Sequence, residues 1–134
     1  MEAITTMPKV NRYKVTWEKF SKDIYILANQ ILTNEIRMRE RYKAIYGIPR
    51  GGLVVATCLS HILGIPLILD ARKIKPFLLW EVLICDDVSD TGKTLQKYED
   101  YSTVTLYRKD HTKCEPNYCV HTINKHIVFP WEVK

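Results

Sequence analysis

No stretch of this sequence comes near the roughly 18–20 consecutive apolar residues a helix needs to cross a bilayer, so no membrane partner is expected. The opening residues MEAITTMPKVNRYK lack the apolar core of a secretory signal, and a cytoplasmic chain is expected. Cysteine is sparse: of Cys58, Cys85, Cys114 and Cys119, the first two sit in apolar segments that suit reduced core residues. No basic run interleaved with aromatics occurs. The net charge of +5 therefore suits an anionic ligand without pointing to nucleic acid, and no nucleic-acid partner is expected. No internal repeat, low-complexity segment or domain boundary interrupts the chain. Its 134 residues fit one domain, 1–134, around a single core.

What is present alternates between two periodicities. Residues 1–13 read as an irregular lead-in. Thr16 is placed to cap a helix from Trp17, in which Phe20, Ile24, Leu27, Ala28 and Ile31 recur on one face. NEIRMRERY (34–42) reads as a loop or a short exposed helix. KAIYGI is a strand candidate stopped by PRGG, LVVATCLSHIL a helix ended by Gly64, and IPLILD a second strand. ARKIKPFLLW is a connector, basic and then apolar. EVLICDD is a third strand, GKTLQKYEDY a short helix, STVTLYRK a fourth strand and CVHTI a candidate fifth. Strands alternating with helices predict an α/β fold: a mostly parallel twisted sheet with helices on both faces. Ligands of such sheets bind at the carboxyl ends of the strands, where PRGG, DDVSDTGKT and RK fall.

The most informative stretch is VLICDDVSDTGKTL, residues 82–95. A buried strand runs into two adjacent carboxylates, which repel each other unless something else takes up their charge. Gly92-Lys93-Thr94 matches the end of a P-loop, but the first glycine of that pattern would fall on Asp87, so the P-loop fails at its turn. The stretch still suits a phosphate. Asp90, Thr91, Gly92, Lys93 and Thr94 lie between a strand and a helix, where backbone N–H groups face outward, glycine admits close approach and threonines add hydroxyls. The aspartates need vicinal hydroxyls or a metal ion. Phosphoribosyl pyrophosphate with bound Mg²⁺ carries all three features.

VLICDDVSDTGKTL closely resembles the phosphoribosyl-pyrophosphate motif of the type I phosphoribosyltransferases. YKVTWEKF, IYGIPRGGLVVATCLSHILGIPLILD, VTLYRK and FPWE are similar to further parts of their xanthine-guanine and hypoxanthine branch, in order over most of residues 13–132. The resemblance implies an enzyme of purine salvage that joins a 6-oxopurine base to the phosphoribosyl group and releases pyrophosphate. It implies that Asp86 and Asp87 hold the ribose hydroxyls and Mg²⁺, and that residues 90–94 cradle the 5′-phosphate. Asp90 then lies near N7 of the base as the catalytic carboxylate. Arg50, Gly51 and Gly52 form a pyrophosphate loop, with a cis peptide at Pro49–Arg50 or Arg50–Gly51. Lys109 hydrogen-bonds the 6-oxo group, and Ile127 and Val128 cover the base. Trp131 is expected in the core, and a homodimer is the family's default.

Two departures stand out. The long hood that closes over the family's active site is reduced here to ARKIKPFLLWE, although Lys73 and Lys75 remain within it. The position of Val128 is often polar in relatives that handle guanine and xanthine. The short hood keeps a second function open, a phosphoribosyl-pyrophosphate or nucleotide sensor without turnover. His111, Cys114, Cys119, His121 and His126 crowd one span, but Cys-x₄-Cys-x-His-x₄-His is not a usual zinc spacing and no site is expected there.

Overall fold

A computed structural model describes residues 11–132. In chain order the elements are β1 (Arg12–Lys14), α1 (Trp17–Met38), β2 (Ala44–Gly47), α2 (Gly51–Leu63), β3 (Leu67–Ile68), β4 (Val82–Ser89), α3 (Lys93–Gln96), β5 (Ser102–Arg108), β6 (Tyr118–Thr122) and β7 (His126–Val128). Two 3₁₀ turns, Ala71–Ile74 and Leu79–Glu81, occupy the connector between β3 and β4. The main sheet runs β3-β2-β4-β5-β6 and every pairing in it is parallel.

Strand alternation divides the interior into two layers. Ile45, Leu83, Cys85, Val104 and Leu106 meet the apolar stripes of α1 and α2. Ala44, Tyr46, Val82 and Ile84 face the other way, onto Ile74 of the first 3₁₀ turn and onto Tyr98 and Tyr101 after α3. That second face is thus covered by short segments.

The expected cap at Thr16 is present, its hydroxyl accepting from the Lys19 amide at 3.0 Å. α1 continues beyond the expected boundary and takes in half of NEIRMRERY. Glu35 stays on the buried face, and its carboxylate accepts from the Tyr42 amide at 2.7 Å, which stitches the helix end to the chain leaving it. β3 is shorter than IPLILD suggested. Pro66 has no N–H to offer a ladder, and only Leu67 and Ile68 pair with β2. α3 is one short turn.

The lead-in differs most. Residues 1–10 lie outside the described residues, but Arg12–Lys14 form a strand parallel to β7, with Tyr13 opposite Ile127. Trp131 packs on this corner, stacked on Phe129 at 4.8 Å and edge-on to Phe20 at 5.3 Å.

Candidate active site

Three strand ends and one loop build the site. β2 ends in Gly47, and the chain turns through a cis Pro49–Arg50 bond into α2, whose first turn has no side-chain cap. Nothing separates this turn from β4. A Cβ on Gly52 would lie 2.3 Å from the Cys85 carbonyl oxygen and 2.9 Å from Asp86 Cα; one on Gly51 would lie 2.0 Å from Asp87 Oδ2. The candidate pyrophosphate loop and the paired aspartates are therefore one surface, and they meet only because both positions are glycine.

Asp86 and Asp87 are half-buried at the end of β4. Asp86 Oδ1 accepts from the Asp87 amide at 2.9 Å and Asp87 Oδ1 from the Val88 amide at 2.8 Å. Burial pushes both carboxyls above the usual range, and the charge of Asp87 pushes Asp86 further. Two half-buried carboxylates side by side are a fit for a hard cation, and Mg²⁺ is usually held by only one or two carboxylates with substrate oxygens completing its shell.

Beyond Ser89 the chain turns at Asp90 and Thr91, and Gly92 adopts φ 89°. A Cβ at Gly92 would meet the Cys114 amide at 2.5 Å, so the loop after β5 packs directly on it. Two further bonds seal the pair of loops: the Lys113 amide donates to the Thr91 carbonyl at 2.9 Å, and the buried Ser89 hydroxyl meets Thr112 Oγ1 at 2.8 Å. Thr91 Oγ1 accepts from the Lys93 amide at 3.2 Å. Thr91, Lys93 and Thr94 are exposed, as a phosphate cradle requires.

A cleft of about 180 Å³ opens beside this loop, lined by Asp87, Asp90, Lys109, His126, Ile127 and Phe129 with Val88 and Glu132. Lys109 is 7% exposed and its ammonium donates to the Lys125 carbonyl. An ammonium has three donors, so capacity remains for a ligand. Val128 lies outside this lining; its carbonyl accepts from the Val15 amide at 2.9 Å and serves the β1–β7 pair.

Two residues of this site were not singled out as site residues by the sequence. His126 begins β7, is exposed and lines the cleft, an aromatic face beside Ile127. His111 Nε2 lies 3.2 Å from Asp90 Oδ1. Both had been weighed only as metal ligands, and the fold separates that set: His121 binds Asp23 at 3.0 Å, and Cys114 is buried beside Ser89. No group of three or more His, Cys, Asp or Glu side chains placed to hold a metal occurs among the described residues. His111 and His126 carry no periodic signal; only their nearness to the ends of TLYRK and to FPWE hinted at the site.

No family model matches the sequence. Solved structures do. Purine phosphoribosyltransferase from Pyrococcus horikoshii is 33% identical, with 92% of this chain and 96% of that one covered at a TM-score of 0.75. The xanthine-guanine-hypoxanthine phosphoribosyltransferase of Helicobacter pylori is 18% identical, covering 91% and 93% at 0.71. A hypothetical protein from Neisseria gonorrhoeae, solved with bound ppGpp, is 22% identical and covers 90% and 89% at 0.65. The last two share the fold. At the identity and coverage of the first, the kinship is one of family as well: the chain belongs to the type I phosphoribosyltransferases and is an enzyme of that class.

Proposed function

We propose that the protein transfers the 5-phosphoribosyl group from phosphoribosyl pyrophosphate to a 6-oxopurine base (hypoxanthine, guanine or xanthine), giving a nucleoside monophosphate and pyrophosphate in purine salvage. The observation that carries this reading is the shared cleft. Asp90, Lys109, His126 and Ile127 line one cavity with Asp87, which puts candidate base contacts beside the candidate sugar site.

In the reaction a base nitrogen attacks C1′, the N–C1′ bond forms as the C1′–O bond to pyrophosphate breaks, and the base gives up a proton. Asp86 and Asp87 would hold the ribose hydroxyls and Mg²⁺, which when bound neutralises charge on the departing pyrophosphate. Gly51 and Gly52 let that group approach bare backbone, and Arg50 grips its oxygens. Thr91, Gly92, Lys93 and Thr94 seat the 5′-phosphate. Asp90 accepts the base proton or stabilises the charge at N7, an effect of roughly 10²–10⁴-fold. Lys109 donates to the 6-oxo oxygen, and a group that only donates disfavours a 6-amino base. His126 and Ile127 flank the ring, with Val128 holding β7 in place. Because the transition state has oxocarbenium character, positioning and charge stabilisation supply most of the rate.

Four free cysteines fit a cytoplasmic location. No described helix is long and apolar enough to cross a membrane. A homodimer is proposed as well: Leu78, Leu79 and Trp80 of the connector and Tyr25 and Ile36 of α1 expose large apolar area that an interface would cover.

The test is pyrophosphate release and nucleotide formation with Mg²⁺, phosphoribosyl pyrophosphate and hypoxanthine, guanine, xanthine or adenine, wild type beside Asp90→Asn. Turnover of 6-oxopurines, lost in the variant, is expected. The short connector favours one other reading, a ligand sensor on the same site; tight calorimetric binding with no turnover of any base would select it.

A further inference from the structure

Asp90 is 61% exposed, on a loop that offers its carboxylate no other support. Among the described residues its one side-chain hydrogen-bond partner is His111. On the far side of the imidazole, Nδ1 lies 3.9 Å from Asp110 Oδ1. Asp110 is itself fixed at two points by Asn124: its amide donates to Asn124 Oδ1 at 3.0 Å, and Asn124 Nδ2 donates to its Oδ2 at 2.8 Å. A line of contacts therefore runs from the β6–β7 loop through the loop after β5 to the carboxylate at the purine cleft.

Stability does not explain this arrangement. Exposed pairs of this kind add little to stability. Geometry explains it better. An exposed aspartate has freely exchanging rotamers, whereas proton transfer needs its oxygen held within hydrogen-bond reach of the substrate. His111 engages Oδ1 and leaves Oδ2 for the base.

We infer that His111 is a positioning residue for the phosphoribosyl transfer, holding the Asp90 carboxylate toward the purine, with the Asn124-fixed Asp110 beside the far edge of the imidazole. This rests on the purine chemistry proposed for the cleft. It adds to that chemistry a dependence of Asp90 on a side chain 21 positions further along the chain.

The experiment uses the full chain with phosphoribosyl pyrophosphate, Mg²⁺ and the best 6-oxopurine substrate. His111→Ala, His111→Gln, Asp90→Asn and the His111→Ala/Asp90→Asn double variant are compared in kcat, in calorimetric affinity for phosphoribosyl pyrophosphate and in melting temperature. His111→Ala is expected to lower kcat on the order of 10- to 100-fold, with affinity and melting temperature at wild-type values. His111→Gln, whose amide nitrogen can still donate to Asp90, recovers most of the loss. The double variant is no slower than Asp90→Asn alone, because the two residues act as a unit. Wild-type kcat in His111→Ala, or additive losses in the double variant, overturns the inference while the purine reading stands. A lowered melting temperature without rescue by Gln makes the role structural and overturns it too. Activity lost in His111→Ala but kept in Asp90→Asn makes His111 the proton acceptor instead. A wild type that turns over no base sinks both.

Discussion

Gly51 and Gly52 are neighbours with different failures in store. A methyl at Gly52 runs into main chain, the Cys85 carbonyl and Asp86 Cα, and neither can swing aside. Gly52→Ala must push α2 off β4, and an overpacked contact of this kind costs about 1–3 kcal/mol. A methyl at Gly51 meets the Asp87 carboxylate, the free end of a side chain that can rotate away. Gly51→Ala is expected to keep its melting temperature and to lose Mg²⁺-dependent affinity for phosphoribosyl pyrophosphate, because the carboxylate moves off its site. Thermal melts beside calorimetry separate the two; equal melting losses would refute the distinction. Lys109 makes a prediction in specificity. Lys109→Gln replaces a donor-only group by one that also accepts, so the preference for hypoxanthine over adenine, measured as a ratio of kcat/KM, should fall by about 10-fold or more. Legibility at this scale follows from locality. Asp86, Asp87, Asp90 and the TGKT loop sit in one contiguous stretch and were readable. His111 reaches Asp90 only because β5 returns parallel to β4, and His126 reaches the cleft only through β7; neither contact leaves a mark in local spacing.

Among the elements, β4 was the easiest to find and the connector before it the hardest. VLIC is buried on both sides, so its apolar run had no rival assignment, and the helical stripe of α1 was equally plain. The connector has no period. Its last turn is held by Glu81, whose carboxylate accepts from the Leu78 amide at 2.8 Å and pairs with Lys43 Nζ at 2.7 Å. The Lys43 ammonium, then the Leu78 amide, hold the Glu81 carboxyl below its usual value. A carboxylate with a depressed folded pKa stabilises the fold above its unfolded pKa, roughly 4.3, and that contribution fades as pH falls through the folded value. Glu81→Gln should therefore melt below wild type at pH 7, and the gap should close as pH is lowered past about 4. Melts across pH 3–7 check this; a gap independent of pH would mean that Glu81 acts by packing alone.

For the molecule as a whole, the expected parallel sheet is present, and it gathers the candidate site because every strand of a parallel sheet delivers its carboxyl end to the same side. β2, β4 and β5 do so here. The segment proposed to cover the base is different, since it does not belong to that sheet. β7 pairs only with β1, so the two ends of the described chain meet to hold Ile127 and His126 over the cleft. Nothing in the sequence announced this: strands of three residues are too short for a period, and their pairing spans nearly the full chain. On the proposed reading the arrangement divides labour between two substrates: phosphoribosyl pyrophosphate would be met by the main sheet, and the base by a clip that the N-terminal strand closes. Removing the Val15 amide, which donates to the Val128 carbonyl at 2.9 Å, should loosen the clip alone. Val15→Pro keeps an apolar side chain of similar size and deletes that donor. It is expected to raise KM for the purine several-fold while affinity for phosphoribosyl pyrophosphate stays at the wild-type value. Steady-state kinetics with the base varied, beside calorimetry with phosphoribosyl pyrophosphate, decide it. If both affinities fell together, the β1–β7 pair would be part of the common framework and the division between clip and sheet would be false.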